Sequence, residues 1–111
     1  MAYAFTQDVP IDTETYRRIT RGLGDAPAEG LILHLAIERP EGGLRYIDVW
    51  ESEAHWDRFA EERLHPVVHP IITELLGAQP PEPPRLATSV VDIWQGTTMS
   101  RPLASPAVNA H

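Results

Sequence analysis

The chain has 111 residues and a formal charge of -7, with 9 cationic residues, all of them Arg, and no Cys. That length makes one domain with its own core. An acidic chain without a basic stripe is not expected to bind nucleic acid. The absence of Cys excludes disulfides, thiolate nucleophiles and Cys-bound metal. No apolar run is long enough for a membrane span, and no secretory leader is expected from the first residues, so the simplest expectation is a cytoplasmic protein without a membrane partner.

The first predicted element is a strand over 2–9, where Tyr3, Phe5 and Val9 alternate and Pro10 follows. Asp12 or Thr13 is placed to cap a helix over about 14–23, with Tyr16, Ile19 and Leu23 at helical spacing and Gly22 and Gly24 at its end. Tyr16 could reach a pocket between helices and sheet, but core packing is its simpler role. Arg17, Arg18 and Arg21 suit a solvated face.

A hairpin comes next. In Leu31-Ile32-Leu33-His34-Leu35-Ala36-Ile37-Glu38 the odd positions are all aliphatic and the even ones mixed. Pro40 to Gly43 make the turn, and Leu44 to Trp50 form the return strand, split between Ile47 and Val49 on one face and Tyr46, Asp48 and Trp50 on the other. If Glu38 lies opposite Leu44, His34 meets Asp48, Leu33 meets Val49, Leu35 meets Ile47 and Ile32 meets Trp50. A shift by two residues keeps the faces and sets His34 opposite Trp50. Both registers put His34, Tyr46, Asp48 and Trp50 on one side.

Ser52 caps a second helix whose apolar stripe is Trp56, Phe59, Ala60 and Leu64. Pro66 and Pro70 lack N–H donors, so a continuous α-helix from Ser52 to Gly77 should fail near Arg63–His65. The segment 79–84 is a Pro-rich connection. A fourth strand is expected over 88–94, placing Asp92 and Trp94 on the mixed face and Val91 and Ile93 on the aliphatic one. Residues 1–96 would form the domain, and 97–111 a loose C-terminal tail.

The order β-α-β-β-α-β is the split βαβ pattern: an α+β, ferredoxin-like fold with a four-stranded antiparallel sheet. Both sheet faces carry large apolar residues. Closing two sheets together in a homodimer is the simple way to cover the second face. The all-aliphatic set suits helix packing, which would send the mixed set into the dimer interior.

The join Tyr46-Ile47-Asp48-Val49-Trp50-Glu51-Ser52-Glu53 resembles the end of the third strand in the dimeric α/β-barrel superfamily. That group includes antibiotic-biosynthesis-monooxygenase-like domains, stress-responsive barrel proteins, polyketide cyclases and haem-degrading monooxygenases. The segment Glu61-Glu62-Arg63-Leu64-x-Pro66 resembles a subgroup of small proteins with no assigned activity. The resemblance covers roughly 2–94 and implies a dimeric barrel. Its ligand pockets commonly lie between sheet and helices, the opposite placement from the one suggested by the aliphatic set.

The candidate chemistry is His34 with Asp48 and Asp92, among Tyr46, Trp50 and Trp94. A carboxylate beside an imidazole fixes one tautomer and raises its basicity, as a general base requires. Aromatic walls suit a flat apolar substrate. With the resemblance, this implies a small-molecule enzyme of the monooxygenase/cyclase kind without a tightly bound cofactor. Here His34 is the acid/base, Asp48 its orienter, and Tyr46, Trp50 and Trp94 the substrate walls. The alternative is a non-catalytic dimeric barrel in which the same residues are interface or ligand contacts. A third reading uses His65 or His69: an i, i+4 pair could share a metal, and the haem members of the superfamily use a helix His as axial ligand.

Overall fold

The computed structural model describes residues 2–94 and 96; the proposed tail over 97–111 lies outside the described residues. Eight segments follow in order: β1 (Tyr3–Val9), α1 (Thr13–Leu23), β2 (Leu31–Glu38), β3 (Leu44–Trp50), α2 (Glu53–Phe59), a π turn (Ala60–Leu64), α3 (His65–Leu76) and β4 (Arg85–Thr88). The strands form one antiparallel sheet in the order β2-β3-β1-β4, consistent with the ferredoxin-like arrangement. Among the described residues no helix is long and apolar enough to cross a membrane.

Local chemistry sets the helix ends. The Asp12 carboxylate accepts from the Thr15 N–H at 2.8 Å and starts α1. The Ser52 hydroxyl accepts from the His55 N–H at 3.2 Å and starts α2. Gly77, at φ 74°, closes α3 in the left-handed conformation. In the β2–β3 turn Gly43 has φ 77°, and a Cβ there would come within 2.7 Å of the Val9 carbonyl oxygen. Only glycine allows that turn to lie so close to β1.

The expected helix failure occurs as a change of pitch. Between α2 and α3 the chain widens into a π turn, in which the His65 N–H donates to the carbonyl of Ala60, five residues back. The turn ends at Leu64, two residues before Pro66. Proline cannot donate to the residue four before it, and its ring crowds that carbonyl. Pro70 is carried inside α3. The two prolines therefore redirect the bonding pattern without severing the rod.

The hairpin takes the first of the two expected registers, with His34 opposite Asp48, Leu35 opposite Ile47 and Glu38 opposite Leu44. One detail differs. Leu31, and not Ile32, lies opposite Trp50, because the register shifts between Leu31 and Leu33. This bulge adds one residue to β2, which reverses the facing upstream of it. Leu31 thereby leaves the aliphatic face and packs against the core.

That core lies between sheet and helices. Phe5, Trp50, Trp56 and Ala60 form its centre, with Tyr3, Ala28, Leu31, Phe59 and Leu64 packed around them. The mixed face thus meets the helices, correcting the expectation that it would line a dimer interior. The deciding factor is aromatic volume: Trp50 and Phe5 are both 1% exposed and pack at steep angles against the Trp56 ring, at 5.7 and 4.9 Å. On the aliphatic face Val49 is buried and Ile47 half-buried, while the β2 side is left bare. Leu33 and Leu35 are each 42% exposed and Ile37 is 45% exposed.

The fourth strand also differs from expectation. It runs over Arg85–Thr88, pairing Phe5 with Ala87 and Gln7 with Arg85, while 89–94 carries no regular structure. Two contacts fix this earlier start. The Gln7 side-chain amide donates to the Pro83 carbonyl at 2.7 Å, and the Arg85 guanidinium lies over Trp56 and Phe5, at 5.2 and 5.7 Å from the ring centres. The alternating apolar residues Val91 and Ile93 have no sheet to join.

Candidate active site

The mixed face carries a chain of three hydrogen bonds. On β3, the buried Asp48 carboxylate accepts from His34 Nδ1 of β2 at 2.7 Å through one oxygen. Its other oxygen accepts from the Trp50 indole N–H at 3.0 Å. On the far side of the imidazole, Nε2 meets the Tyr16 hydroxyl of α1 at 2.8 Å.

Each member is placed by a simple geometric rule. Asp48 and Trp50 are two apart on one strand, so they share a face. His34 is opposite Asp48 in the ladder. Tyr16 descends from the helix that packs over that face. Because an ionised carboxylate only accepts, Asp48 keeps the proton of His34 on Nδ1. Nε2 then offers its lone pair, and the Tyr16 hydroxyl donates to it. Tyr46 completes the cluster, its ring 5.3 Å from that of His34 and 5.7 Å from that of Tyr16.

His34 retains 30% side-chain exposure against 6% for Asp48. The carboxylate is therefore sealed in, and the imidazole is the member that solvent can approach. Such an arrangement can accept a proton at Nε2 and hold the resulting imidazolium against a fixed negative charge.

Burial, reinforced by Tyr16 and the Asp48 charge, pushes the Tyr46 phenol well above its ordinary value near 10. Tyr46 therefore stays a neutral hydroxyl in the fold when an exposed tyrosine would ionise. In the unfolded chain it ionises from about pH 10. Its contribution to stability is complete below that pH and is lost progressively above it. Urea midpoints measured between pH 9 and 11.5 should fall more steeply for the wild type than for Tyr46→Phe. Equal alkaline slopes for the two proteins would rule this cause out.

The remaining predicted site residues are elsewhere. Asp92 and Trp94 follow β4 and are exposed, Trp94 at 91%. The Asp92 carboxylate accepts from the Trp94 indole at 2.7 Å and from the Ile93 N–H at 2.9 Å, and neither residue reaches His34. A strand over 88–94 would place them on the mixed face, but β4 ends at Thr88 and leaves both outside the sheet. His65 and His69 stack on α3, ring centres 4.8 Å apart and planes within 13°. Nearly parallel rings do not aim their lone pairs at one ion. Glu82 is 3.4 Å from His65 Nε2. Among the described residues no group of three or more acidic or His side chains has metal-holding geometry.

Tyr16 is the functional candidate whose role the sequence pattern understates. Its position on the apolar stripe of α1 fits core packing, and its ring does pack. The signal was the polar tip on that stripe, opposite a face already carrying His34.

Two shallow surface depressions are present among the described residues. An open groove of about 760 Å³ lies at one end of the sheet, lined by Asp8, Pro10, Arg39, Gly43 and Pro83 among others. A smaller hollow of about 150 Å³ is lined by His55, Arg58 and Glu62. Neither includes His34. No protein-family model matches the chain, and no curated protein matches it.

Proposed function

We propose that this chain is a proton-transfer enzyme of the cofactor-independent monooxygenase/cyclase kind, acting on a flat apolar or aromatic substrate. The observation that carries the reading is the Tyr16–His34–Asp48–Trp50 chain of hydrogen bonds, with its buried carboxylate and partly exposed imidazole. His34 Nε2 takes a proton from an acidic C–H or O–H of the substrate. The imidazolium is held by Asp48, and the substrate is left as an electron-rich anion. That anion is the species that adds to dioxygen in a cofactor-free oxygenation, or to a carbonyl in a cyclisation. Tyr46, neutral and aromatic, supplies a wall beside the imidazole. The resemblance of the β3–α2 join to the dimeric α/β-barrel superfamily supports the same reading.

Anthrone, whose central CH₂ is acidic and flanked by aromatic rings, is a suitable probe. Exchange of that CH₂ in D₂O under anaerobic conditions isolates the proton step from any use of oxygen. The wild type should accelerate exchange, and His34→Ala should lose at least about 100-fold of that acceleration, the usual scale of general-base catalysis. Exchange that is equally fast with His34→Ala would exclude His34 as the base.

The same reading includes a homodimer. Leu33, Leu35 and Ile37 form the exposed edge of an aliphatic face that continues through Ile47 and Val49. At its rim Arg45 and Asp8 pair across strands at 2.7 and 3.1 Å, and the guanidinium holds the Asp8 carboxyl below the usual carboxylate range. An apolar centre with a neutralised charged rim is the composition of a sheet-to-sheet interface. Sedimentation equilibrium at micromolar concentration should give a dimer, and Leu35→Asp should give a monomer. A wild type that sediments as a folded monomer would refute the pairing.

A further inference from the structure

The reactive nitrogen of His34 is already occupied. Nδ1 is bonded to Asp48 and Nε2 to the Tyr16 hydroxyl, so both ring nitrogens have protein partners. A reactant cannot form a hydrogen bond with Nε2 along the same direction while Tyr16 is in place. The phenol ring is itself half-buried between His34 and Tyr46.

Helix α1 is not held equally along its length. Its C-terminal half is fixed to α3. Gly22 sits so close that a Cβ would come within 2.7 Å of Val67 Cγ1, and Arg18 forms an ion pair with Glu74. At the helix end and just beyond it, the Arg63 guanidinium donates to the carbonyls of Leu23, Ala26 and Pro27 at 3.4, 2.9 and 2.7 Å. Toward the N-terminal half, the tie to the sheet includes one neutral hydrogen bond, from Tyr16 to His34.

We propose that Tyr16 is the gatekeeping residue of His34: its hydroxyl fills the position at Nε2 that a reactant must take, and the N-terminal half of α1 moves aside to admit one. The inference rests on the acid–base role given to His34 above. A neutral hydrogen bond suits such a gate better than a charged one, because it shields the nitrogen yet breaks at a modest cost that substrate contacts offset. Asp48 stays in place when the gate opens, so the imidazole keeps its tautomer and presents Nε2 outward.

Diethyl pyrocarbonate tests this without a substrate. A neutral imidazole nitrogen attacks its carbonyl, ethyl carbonate leaves and breaks down to ethanol and CO₂, and the ring gains a carbethoxy group. Site-resolved mass spectrometry then gives a rate for each histidine. In the wild type His34 should react about tenfold more slowly than the exposed His69. Tyr16→Phe, which keeps the ring and removes the hydroxyl, should speed His34 by roughly threefold to tenfold, the worth of one neutral hydrogen bond, with His69 unchanged. Wild-type His34 reacting as fast as His69 would overturn the gate without any variant. An unchanged His34 rate in a folded Tyr16→Phe would also overturn it. The labelling reports access to Nε2 whatever the reaction: a gate that passes this test while anthrone exchange fails leaves the enzyme reading wrong and the gate standing. The opposite pair of results leaves the base and removes the gate.

Discussion

Asp48→Ala should lower the unfolding free energy by about 3 kcal/mol, the range set by deleting one partner from a buried charged pair. Asp48 is 4% exposed as a residue, and its carboxylate has two donors, His34 Nδ1 and Trp50 Nε1. These donors differ in what they can do once it is gone. His34, partly exposed, can turn to water. The Trp50 indole N–H is sealed at 1% residue exposure and is left without an acceptor, which is the larger part of the loss. Asp48→Asn keeps one oxygen for a donor but turns an amide N–H toward the other, so it should fall between the wild type and the alanine variant. Urea unfolding at neutral pH reads the difference directly, and a melting-temperature drop of roughly 10 °C should accompany it. A loss below about 1 kcal/mol for Asp48→Ala would mean that the network is incidental to stability.

Trp56→Ala should cost about 4 kcal/mol, at the upper end of large-to-small core substitutions. The ring is 4% exposed and touches Phe5, Trp50 and Phe59, so its removal opens a cavity bordered by three aromatic rings. The Arg85 guanidinium over the same ring contributes much less, about 0.5–1 kcal/mol. Arg85→Ala is therefore the useful comparison. It removes the cation and leaves the aromatic packing, and its effect should be a quarter or less of that of Trp56→Ala. Comparable losses for the two variants in denaturant titrations would show that the cation, and not the packed ring, dominates this part of the core.

The sequence reveals the hairpin best. Strict alternation in β2 and β3, a Gly-Gly turn and matched strand lengths leave few registers, and one of the two candidate registers is observed. His34 and Asp48 are legible together for the same reason. Tyr16 is harder to read, because contact between a helix and a sheet depends on how the helix docks, and no local pattern encodes that. The bulge between Leu31 and Leu33 is invisible for a related reason: Leu-Ile-Leu is apolar at every position, so a slip of facing costs nothing in the pattern. The fourth strand is the clearest failure. Val90 to Trp94 alternate better than Arg85 to Thr88, yet long-range contacts from Gln7, Phe5 and Trp56 hold the earlier segment. Which face the helices cover was equally a tertiary matter. An all-aliphatic surface looks like a core, but three tryptophan and phenylalanine rings fill more space between sheet and helices than leucines do.

The π turn at Ala60–Leu64 sets a numbering phase for the whole second half of the chain. Each helical residue advances about 100° around the axis, and a π turn holds roughly one residue more than the α pitch needs. Residues before and after it are thus offset by one step from any seven-residue pattern drawn through both. Wound at uniform α pitch with every residue kept, the rod would turn Trp56 and Phe59 by that angle relative to Ile71, and one of the two apolar sides would leave the core. Deleting the exposed Glu61 would instead remove the extra residue and the wide turn together and keep both sides facing inward. The extra residue works as a phase adjuster that lets two differently patterned half-helices present their apolar sides to the same surface.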